Sequence, residues 1–168
     1  AEYHLYQGRF TEALGEIERS IALVPEDPIG YMDKGNLFVY QNDFVRAEQE
    51  YRNLLKLKNP TGRFSYLWGM AVLDILRGKY NEAENLADEA CQTLEKLGEK
   101  QFASRFRLLS AYCQRRSGRP REAIRGYDMV LADAAKRDNW SQQRNALRGK
   151  GLAYCALNSP NDAIRVVS

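Results

Sequence analysis

The sequence has few of the residues on which most catalytic and metal sites depend. It contains one histidine, His4, and three cysteines, Cys91, Cys113 and Cys155. The cysteines form no CxxC pair, so the local spacing of a zinc, iron–sulfur or dithiol motif is absent. An odd number of scattered cysteines is typical of reduced thiols in the cytosol. We therefore expect a cytoplasmic protein that needs no cofactor and no metal ion.

The sequence also lacks a long hydrophobic run and a strong excess of one charge. No stretch of about eighteen apolar residues, the length needed to span a bilayer, is present. The net charge is +3, from 25 Lys and Arg against 22 Asp and Glu. With 44% hydrophobic and 28% charged residues, the composition is that of a globular protein outside the membrane.

The sequence does contain an internal repeat, marked by an alanine that follows a glycine or asparagine by five residues. We call the glycine or asparagine the breaker and the alanine the anchor. The anchors are spaced 34, 36, 40 and 40 residues apart. The breaker–anchor pairs are Gly8 and Ala13, Asn42 and Ala47, Gly78 and Ala83, Gly118 and Ala123, and Asn158 and Ala163. Glycine and asparagine readily adopt the left-handed conformation that ends a helix. Two residues later comes Phe10, Phe44, Tyr80, Pro120 or Pro160, and proline suits the first turn of a new helix. Each unit is therefore predicted to be a helical hairpin.

Further positions recur at fixed distances from the anchors. Small residues stand twelve positions before them, at Ala1, Gly35, Ala71, Ala111 and Gly151. Bulky apolar residues stand sixteen before at Tyr31, Leu67 and Leu147, whereas Arg107 departs from the pattern. Apolar or aromatic residues stand four after at Ile17, Tyr51, Tyr127 and Val167, with Ala87 the weakest match. This pattern resembles the tetratricopeptide repeat (TPR) family, whose unit is a helix–turn–helix of about 34 residues.

The resemblance implies an all-α fold, in which tandem antiparallel hairpins stack in a right-handed superhelix, an α-solenoid. We expect a single array with units at about 1–27, 28–63, 64–98, 99–138 and 139–168. The first and last units are truncated, so the sequence is expected to be a piece of a longer array. The predicted helices span 1–7, 11–23, 29–41, 44–57, 64–77, 80–97, 100–117, 120–137, 140–157 and 160–167. Pro25 and Pro60 end the second helix of the first two units, and the later units lack such a proline.

Candidate catalytic features have plainer structural interpretations. Gly149-Lys150-Gly151 lacks the surrounding residues of a phosphate-binding loop. The acidic stretch from Glu82 to Glu89 is typical of the solvated face of a helix. The glycosylation sequon at Asn139 is set aside because the cysteines favour the cytosol, and those cysteines are expected to be small buried hydrophobes. We therefore expect no enzyme activity.

In TPR proteins the first helix of each hairpin lines the concave side, so the resemblance selects the groove. The predicted partner-binding residues are Met32, Asn36, Tyr40, Trp68, Arg105, Tyr112, Arg115 and Arg148. Val72, Ile75, Leu76 and Leu152 are expected to be core between hairpins. The chaperone-binding subclass clamps a C-terminal carboxylate with lysine and asparagine, but Met32 stands at the lysine position and Val72 at the second asparagine position. A chaperone adaptor is therefore not predicted.

Charge is unevenly distributed along the chain. Residues 1–98 carry 11 basic and 16 acidic groups, whereas residues 99–168 carry 14 and 6. The densest basic patch comprises Arg115, Arg116, Arg119, Arg121 and Arg125. Arginine suits carboxylates and phosphates, so an acidic peptide segment is the favoured partner.

Three functions remain open from the sequence. The first is a non-catalytic protein–protein interaction scaffold or adaptor, in a larger regulatory or signalling protein such as those with similar 40-residue repeats. The second is RNA binding by the basic C-terminal half, which the low net charge disfavours. The third is self-assembly into a homo-oligomer through the ends of the array.

Overall fold

The computed structural model describes residues 8–167, without the side chain of Val167, as helices joined by short turns. The α-helices are α1 (Phe10–Leu23), α2 (Pro28–Tyr40), α3 (Phe44–Asn53), α4 (Thr61–Leu76), α5 (Tyr80–Lys96), α6 (Lys100–Arg116), α7 (Pro120–Lys136), α8 (Trp140–Ala156) and α9 (Pro160–Val167). A 3-10 turn, Leu54–Lys56, follows α3. The predicted all-α fold is confirmed, and this part of the chain contains no strand. The predicted helix 1–7, with Ala1 and His4, lies outside the described residues.

The turns within the hairpins have the predicted backbone conformation. The φ angles are positive at all five breakers: 71° at Gly8, 58° at Asn42, 77° at Gly78, 81° at Gly118 and 54° at Asn158. This left-handed region is the one that glycine and asparagine tolerate best. Between hairpins, Gly98 and Asp138 also have positive φ, which the repeat pattern did not predict.

One pair of helix boundaries differs from the prediction by more than one residue. The helix expected over 44–57 ends at Asn53, and its last turn tightens into the 3-10 turn. The next helix begins at Thr61, three residues earlier than expected, because the Asn59 Oδ1 accepts a hydrogen bond from the Thr61 amide at 3.0 Å. Pro60, between them, disfavours helical geometry at Asn59 and so separates the two helices.

The chain divides into two compact units, Ala1–Leu73 and Asp74–Ser168, with the boundary inside α4. In the described part of the first unit, the fully buried ring of Tyr51 on α3 packs on two glycines, Gly35 of α2 and Gly69 of α4. A salt-bridge network joins the three helices of this unit that precede α4, because the Lys34 ammonium lies 3.3 Å from Glu18 and 3.4 Å from Glu50. The single five-unit array remains a prediction.

The second unit repeats this packing with a second tyrosine. Tyr127 of α7 is buried with Ala111, Ala123, Val130 and Ala146, which come from α6, α7 and α8. Gly149 of α8 presents only its backbone to the Tyr127 ring. In both units a tyrosine four residues after the anchor therefore packs on a glycine of the next hairpin's first helix.

Arg107, which departs from the apolar pattern, is half-buried and pairs with Glu95 of α5. Its charge therefore has a partner where the pattern expects an apolar side chain.

Among the helices of residues 8–167, none is long and apolar enough to cross a membrane.

Candidate partner-binding surface

The groove residues predicted in the first unit lie on α2 and α4. Tyr40 is 55% exposed, whereas Met32 and Trp68 are half-buried. The Oδ1 of Asn36 accepts a hydrogen bond of 2.7 Å from the Tyr51 hydroxyl. Burial raises the pKa of Tyr51, so this hydroxyl stays protonated and acts as a donor. Asn36 therefore holds the core tyrosine in place as well as standing at a groove position.

In the second unit, four side chains of α5 and α6 form an arginine–tyrosine cluster: Tyr80, Tyr112, Arg115 and Arg116. The Arg115 and Arg116 guanidinium carbons lie 5.4 Å and 6.0 Å from the centroid of the Tyr112 ring. Arg116 also donates a hydrogen bond of 2.6 Å to the Tyr80 hydroxyl. The cations are held over aromatic faces, which orients them without neutralising their charge.

The predicted basic patch divides into members with different roles. Arg119 is held by the buried carboxylate of Glu84, with a second contact of 3.2 Å between its Nη1 and Glu84 Oε1. This hydrogen bond raises the pKa of Arg119. Arg121 and Arg125 are exposed on α7. The charge of Arg119 is thus paired with Glu84 of α5, whereas Arg115 and Arg116 of the cluster stay positively charged.

The second unit separates its charges by helix. The helices α6 and α8, which are the first helices of two successive hairpins, carry no acidic residue. Their eight cations are Lys100, Arg105, Arg107, Arg115, Arg116, Arg144, Arg148 and Lys150. Arg107 pairs with Glu95, and the Lys150 ammonium lies 2.5 Å from Asp128 of α7. By contrast, α5 carries five acidic residues, Glu82, Glu84, Asp88, Glu89 and Glu95. The predicted binding residues Arg105 and Arg148 are exposed on the acid-free helices.

The expected apolar core between hairpins is correct only in part. Val72 and Ile75 are half-buried. Leu76 and Leu152 are exposed, so the prediction of a core position was wrong for both. Leu152 is exposed because it lines an open cleft of about 580 Å³ between α8 and α9. Helical spacing identifies an apolar face but does not tell whether another helix covers it.

The cleft also contains an aromatic residue that was not among the predicted binding residues. Trp140, the first residue of α8, is 75% exposed and lines the cleft with Leu147 and Ala163. In the sequence, Trp140 is the middle residue of the glycosylation sequon Asn139-Trp140-Ser141. The asparagine of that sequon, Asn139, caps α8 by accepting the Gln142 amide hydrogen at 3.1 Å. The exposure of Trp140 could have been predicted from the repeat. The equivalent position, forty residues earlier, is a lysine, Lys100, which is typical of an exposed position.

The described residues include three cysteine thiols, which differ in burial. Cys91 and Cys113 are buried, and burial raises the pKa of Cys113 to about 12. Cys155 is exposed, so the expectation of a buried thiol was wrong there. Burial also raises the pKa of Asp88, although the Ser110 hydroxyl donates a hydrogen bond to it. Within residues 8–167 no group of three His, Cys, Asp or Glu side chains could hold a metal ion.

Comparison with known proteins agrees with this architecture. A family model described as tetratricopeptide repeat matches residues 1–59. Over these residues the sequence therefore has the pattern of the tetratricopeptide repeat family. No curated protein matches the sequence significantly.

Two solved structures resemble nearly the whole chain in fold. A Podosopora anserina protein, described as a kinesin light chain with nearly identical TPR-like repeats, matches with a TM-score of 0.73 at 16% identity. The match covers 99% of this chain and 87% of that one, and a second structure of the same protein gives 0.71. At this identity the likeness shows the fold alone. YrrB, a TPR protein with an unusual peptide-binding site, is 19% identical over 92% of this chain and 90% of its own, but its TM-score of 0.39 is too low to define a shared fold.

Proposed function

We propose that this TPR chain is a non-catalytic interaction module that binds an acidic segment of a protein partner on the first helices of its second unit. The observation that carries the proposal is the absence of any acidic residue from α6 and α8, which carry eight cations. A surface of one charge sign selects partners of the opposite sign and speeds their encounter. A binding role without catalysis is the general one for proteins of this fold.

The arginine–tyrosine cluster supplies the specific contacts in this proposal. Tyr112 offers an aromatic ring, and Arg115 and Arg116 present planar guanidinium groups around it. Aromatic and arginine side chains dominate binding energy when a partner covers them. Arg105 and Arg148, exposed on the same two helices, add further cationic contacts for partner carboxylates.

In the first unit, Met32, Tyr40 and Trp68 remain proposed apolar contacts. Tyr40 is the most exposed of the three. The three free thiols suit a reducing compartment, so a cytoplasmic setting within a larger regulatory or signalling protein is part of the proposal.

The proposal is tested by fluorescence anisotropy with a labelled peptide of alternating glutamate and leucine. We expect Tyr112→Ala and Arg116→Gln each to weaken binding by about tenfold. Arg121→Gln is the matched control, because Arg121 is exposed on the second helix α7 and should leave the affinity unchanged. Circular dichroism verifies that each variant remains helical.

Two results would contradict the proposal. Equal binding of the peptide by wild type and a folded Tyr112→Ala variant would remove the cluster from the binding surface. Displacement of the peptide by single-stranded RNA, with binding that falls steeply as salt rises and ignores Tyr112, would favour nucleic acid as the partner. Affinity capture from nuclease-treated lysate, with wild type and Tyr112→Ala as parallel baits, then identifies the partner itself.

A further inference from the structure

The core tyrosine of each unit has a polar end as well as a packed ring. In the first unit, the Tyr51 hydroxyl donates a hydrogen bond of 2.7 Å to the Asn36 Oδ1, on the preceding helix. In the second unit the equivalent residue is Tyr127, which also stands four residues after its anchor alanine. Its hydroxyl forms a hydrogen bond with Arg115, again on the preceding helix. In both units a buried tyrosine therefore contacts a predicted groove residue through its hydroxyl group.

The packing of α6 on α7 places Arg115 beside Tyr127. Ala111 of α6 lies in the same buried cluster as Tyr127, and Leu108 packs against that cluster. Arg115 is four residues after Ala111, so it lies one turn further along the same face of α6. The Nε of Arg115 is buried and has no hydrogen-bond partner within the described residues. The buried stem and the hydroxyl contact together restrict where the Arg115 guanidinium can point.

Arg116 is held in a similar way by a different tyrosine. Its guanidinium carbon lies 5.0 Å from the centroid of the Tyr80 ring, and its Nη2 donates the hydrogen bond of 2.6 Å to the Tyr80 hydroxyl. The Tyr112 ring is close to both arginines, at 5.4 Å from the Arg115 guanidinium carbon and 6.0 Å from that of Arg116. Each of the two cations therefore contacts two tyrosines.

These contacts fix the two cations without cancelling their charge. Burial raises the pKa of Tyr127, so its hydroxyl stays neutral beside Arg115. A long arginine side chain normally loses conformational freedom when it pairs with a ligand, and that loss weakens binding. An arginine that is already held has less freedom to lose. Its remaining N–H donors lie in a plane that matches a carboxylate.

We propose that Tyr80 and Tyr127 are positioning residues of the acidic-segment site, which hold Arg116 and Arg115 in the orientation that receives the carboxylates of the partner. This inference rests on the proposed function and extends it to two residues that the sequence did not select. Tyr127 acts from inside the core and does not touch the partner.

Phenylalanine variants test the proposal, because they remove a hydroxyl group and keep the ring. In fluorescence anisotropy with the glutamate–leucine peptide, Tyr127→Phe and Tyr80→Phe should each weaken binding by about three- to tenfold. Tyr51→Phe is the matched control, since it removes the same kind of hydroxyl contact from the core of the first unit. It should lower the midpoint of urea unfolding about as much as Tyr127→Phe does, but leave the affinity unchanged.

Two further measurements separate positioning from packing. Arg115→Gln should weaken binding less in the Tyr127→Phe background than in the wild-type chain, because the arginine is then no longer held. Arg116→Gln and Tyr80→Phe should be coupled in the same way. In NMR spectra of the arginine-labelled chain, the Nε–H of Arg115 should exchange with water faster in Tyr127→Phe and at the wild-type rate in Tyr51→Phe.

The results that overturn this inference differ from those that overturn the proposed function. If Tyr112→Ala and Arg116→Gln weaken binding but both phenylalanine variants of the second unit bind like wild type, the site stands and the positioning role fails. An equal loss of affinity in Tyr51→Phe and Tyr127→Phe would show a general effect of stability and would also refute it. If Tyr112→Ala binds like wild type, the proposed function itself fails and the positioning role falls with it.

Discussion

The ring of Tyr51 lies directly on the backbone of Gly69. A Cβ atom added at Gly69 would be 2.6 Å from the Tyr51 Cγ, which is inside van der Waals contact. The ring is fully buried and has no room to withdraw. Tyr127 and Gly149 have the same relationship in the second unit. The contact between successive hairpins thus depends on a missing side chain as much as on a large one.

Gly69→Ala should destabilise the first unit. The added methyl group overpacks a filled core, so we expect the free energy of unfolding to fall by about 1–3 kcal/mol. Gly15→Ala is the control, because a Cβ at Gly15 has no atom within 4 Å. That change should stabilise α1 by about 0.5–1 kcal/mol. Urea unfolding followed by circular dichroism measures both, and equal stability of the two variants would refute the contact.

Arg119→Ala should destabilise the second unit by leaving the buried carboxylate of Glu84 without its cation. Gln114 still donates a hydrogen bond of 3.1 Å to Glu84, which limits the loss. We expect a decrease of about 1–3 kcal/mol in the free energy of unfolding. Arg125→Ala, at an exposed position of α7, should change it by less than about 0.5 kcal/mol.

A double variant tests whether this effect comes from the pair. Glu84→Gln with Arg119→Ala should lose less stability than the sum of the single changes, since neither charge is then stranded. Strict additivity would show that the two side chains act independently.

Asp88→Asn should stabilise the chain at neutral pH. The pKa of Asp88 is raised above 3.8 by burial and by the neighbouring Glu84, against the effect of Arg119 and the Ser110 hydrogen bond. Between the pKa of Asp88 in the unfolded state and its higher pKa in the folded state, the folded chain still binds a proton that the unfolded chain has released. The free energy of unfolding therefore falls as the pH rises through this range. Asparagine does not ionise, so the variant avoids this loss of stability. Its side-chain oxygen can still accept the hydrogen bond from the Ser110 hydroxyl.

Unfolding measured across pH distinguishes this effect from a general change in packing. The stabilisation by Asp88→Asn should be present at about pH 7 and vanish near pH 3, where the carboxyl is protonated in both states. A variant that is less stable than wild type at neutral pH would show that the ionised carboxylate is needed.

Cys155 should be the thiol that reacts in the native protein. It is exposed, whereas Cys91 and Cys113 are buried and burial raises the pKa of each. A colorimetric thiol assay should therefore give one fast equivalent in buffer and two more after denaturant is added. Cys155→Ser should abolish the fast phase. Rapid reaction of a second thiol would mean that a buried cysteine is accessible.

The repeat was readable in the sequence because its signals are local. The breakers Gly8, Asn42, Gly78, Gly118 and Asn158 act through their own φ angles, which need no distant contact. The small residue Gly35 also marked a close approach correctly, because it faces Tyr51 within one hairpin. The start of α4 was predicted less well, since it depends on a side-chain hydrogen bond from Thr61 to Asn59.

The sequence by itself determined the helical hairpins, their turns and the basic character of the second half, because backbone preference and charge belong to individual residues. Only the tertiary structure decided which side chains are covered. In the folded chain Leu152 and Trp140 are exposed, whereas Asn36 binds Tyr51 and Arg119 binds Glu84. Helical spacing places a residue on a face, but burial depends on which other helix packs there, and that is a property of the folded chain.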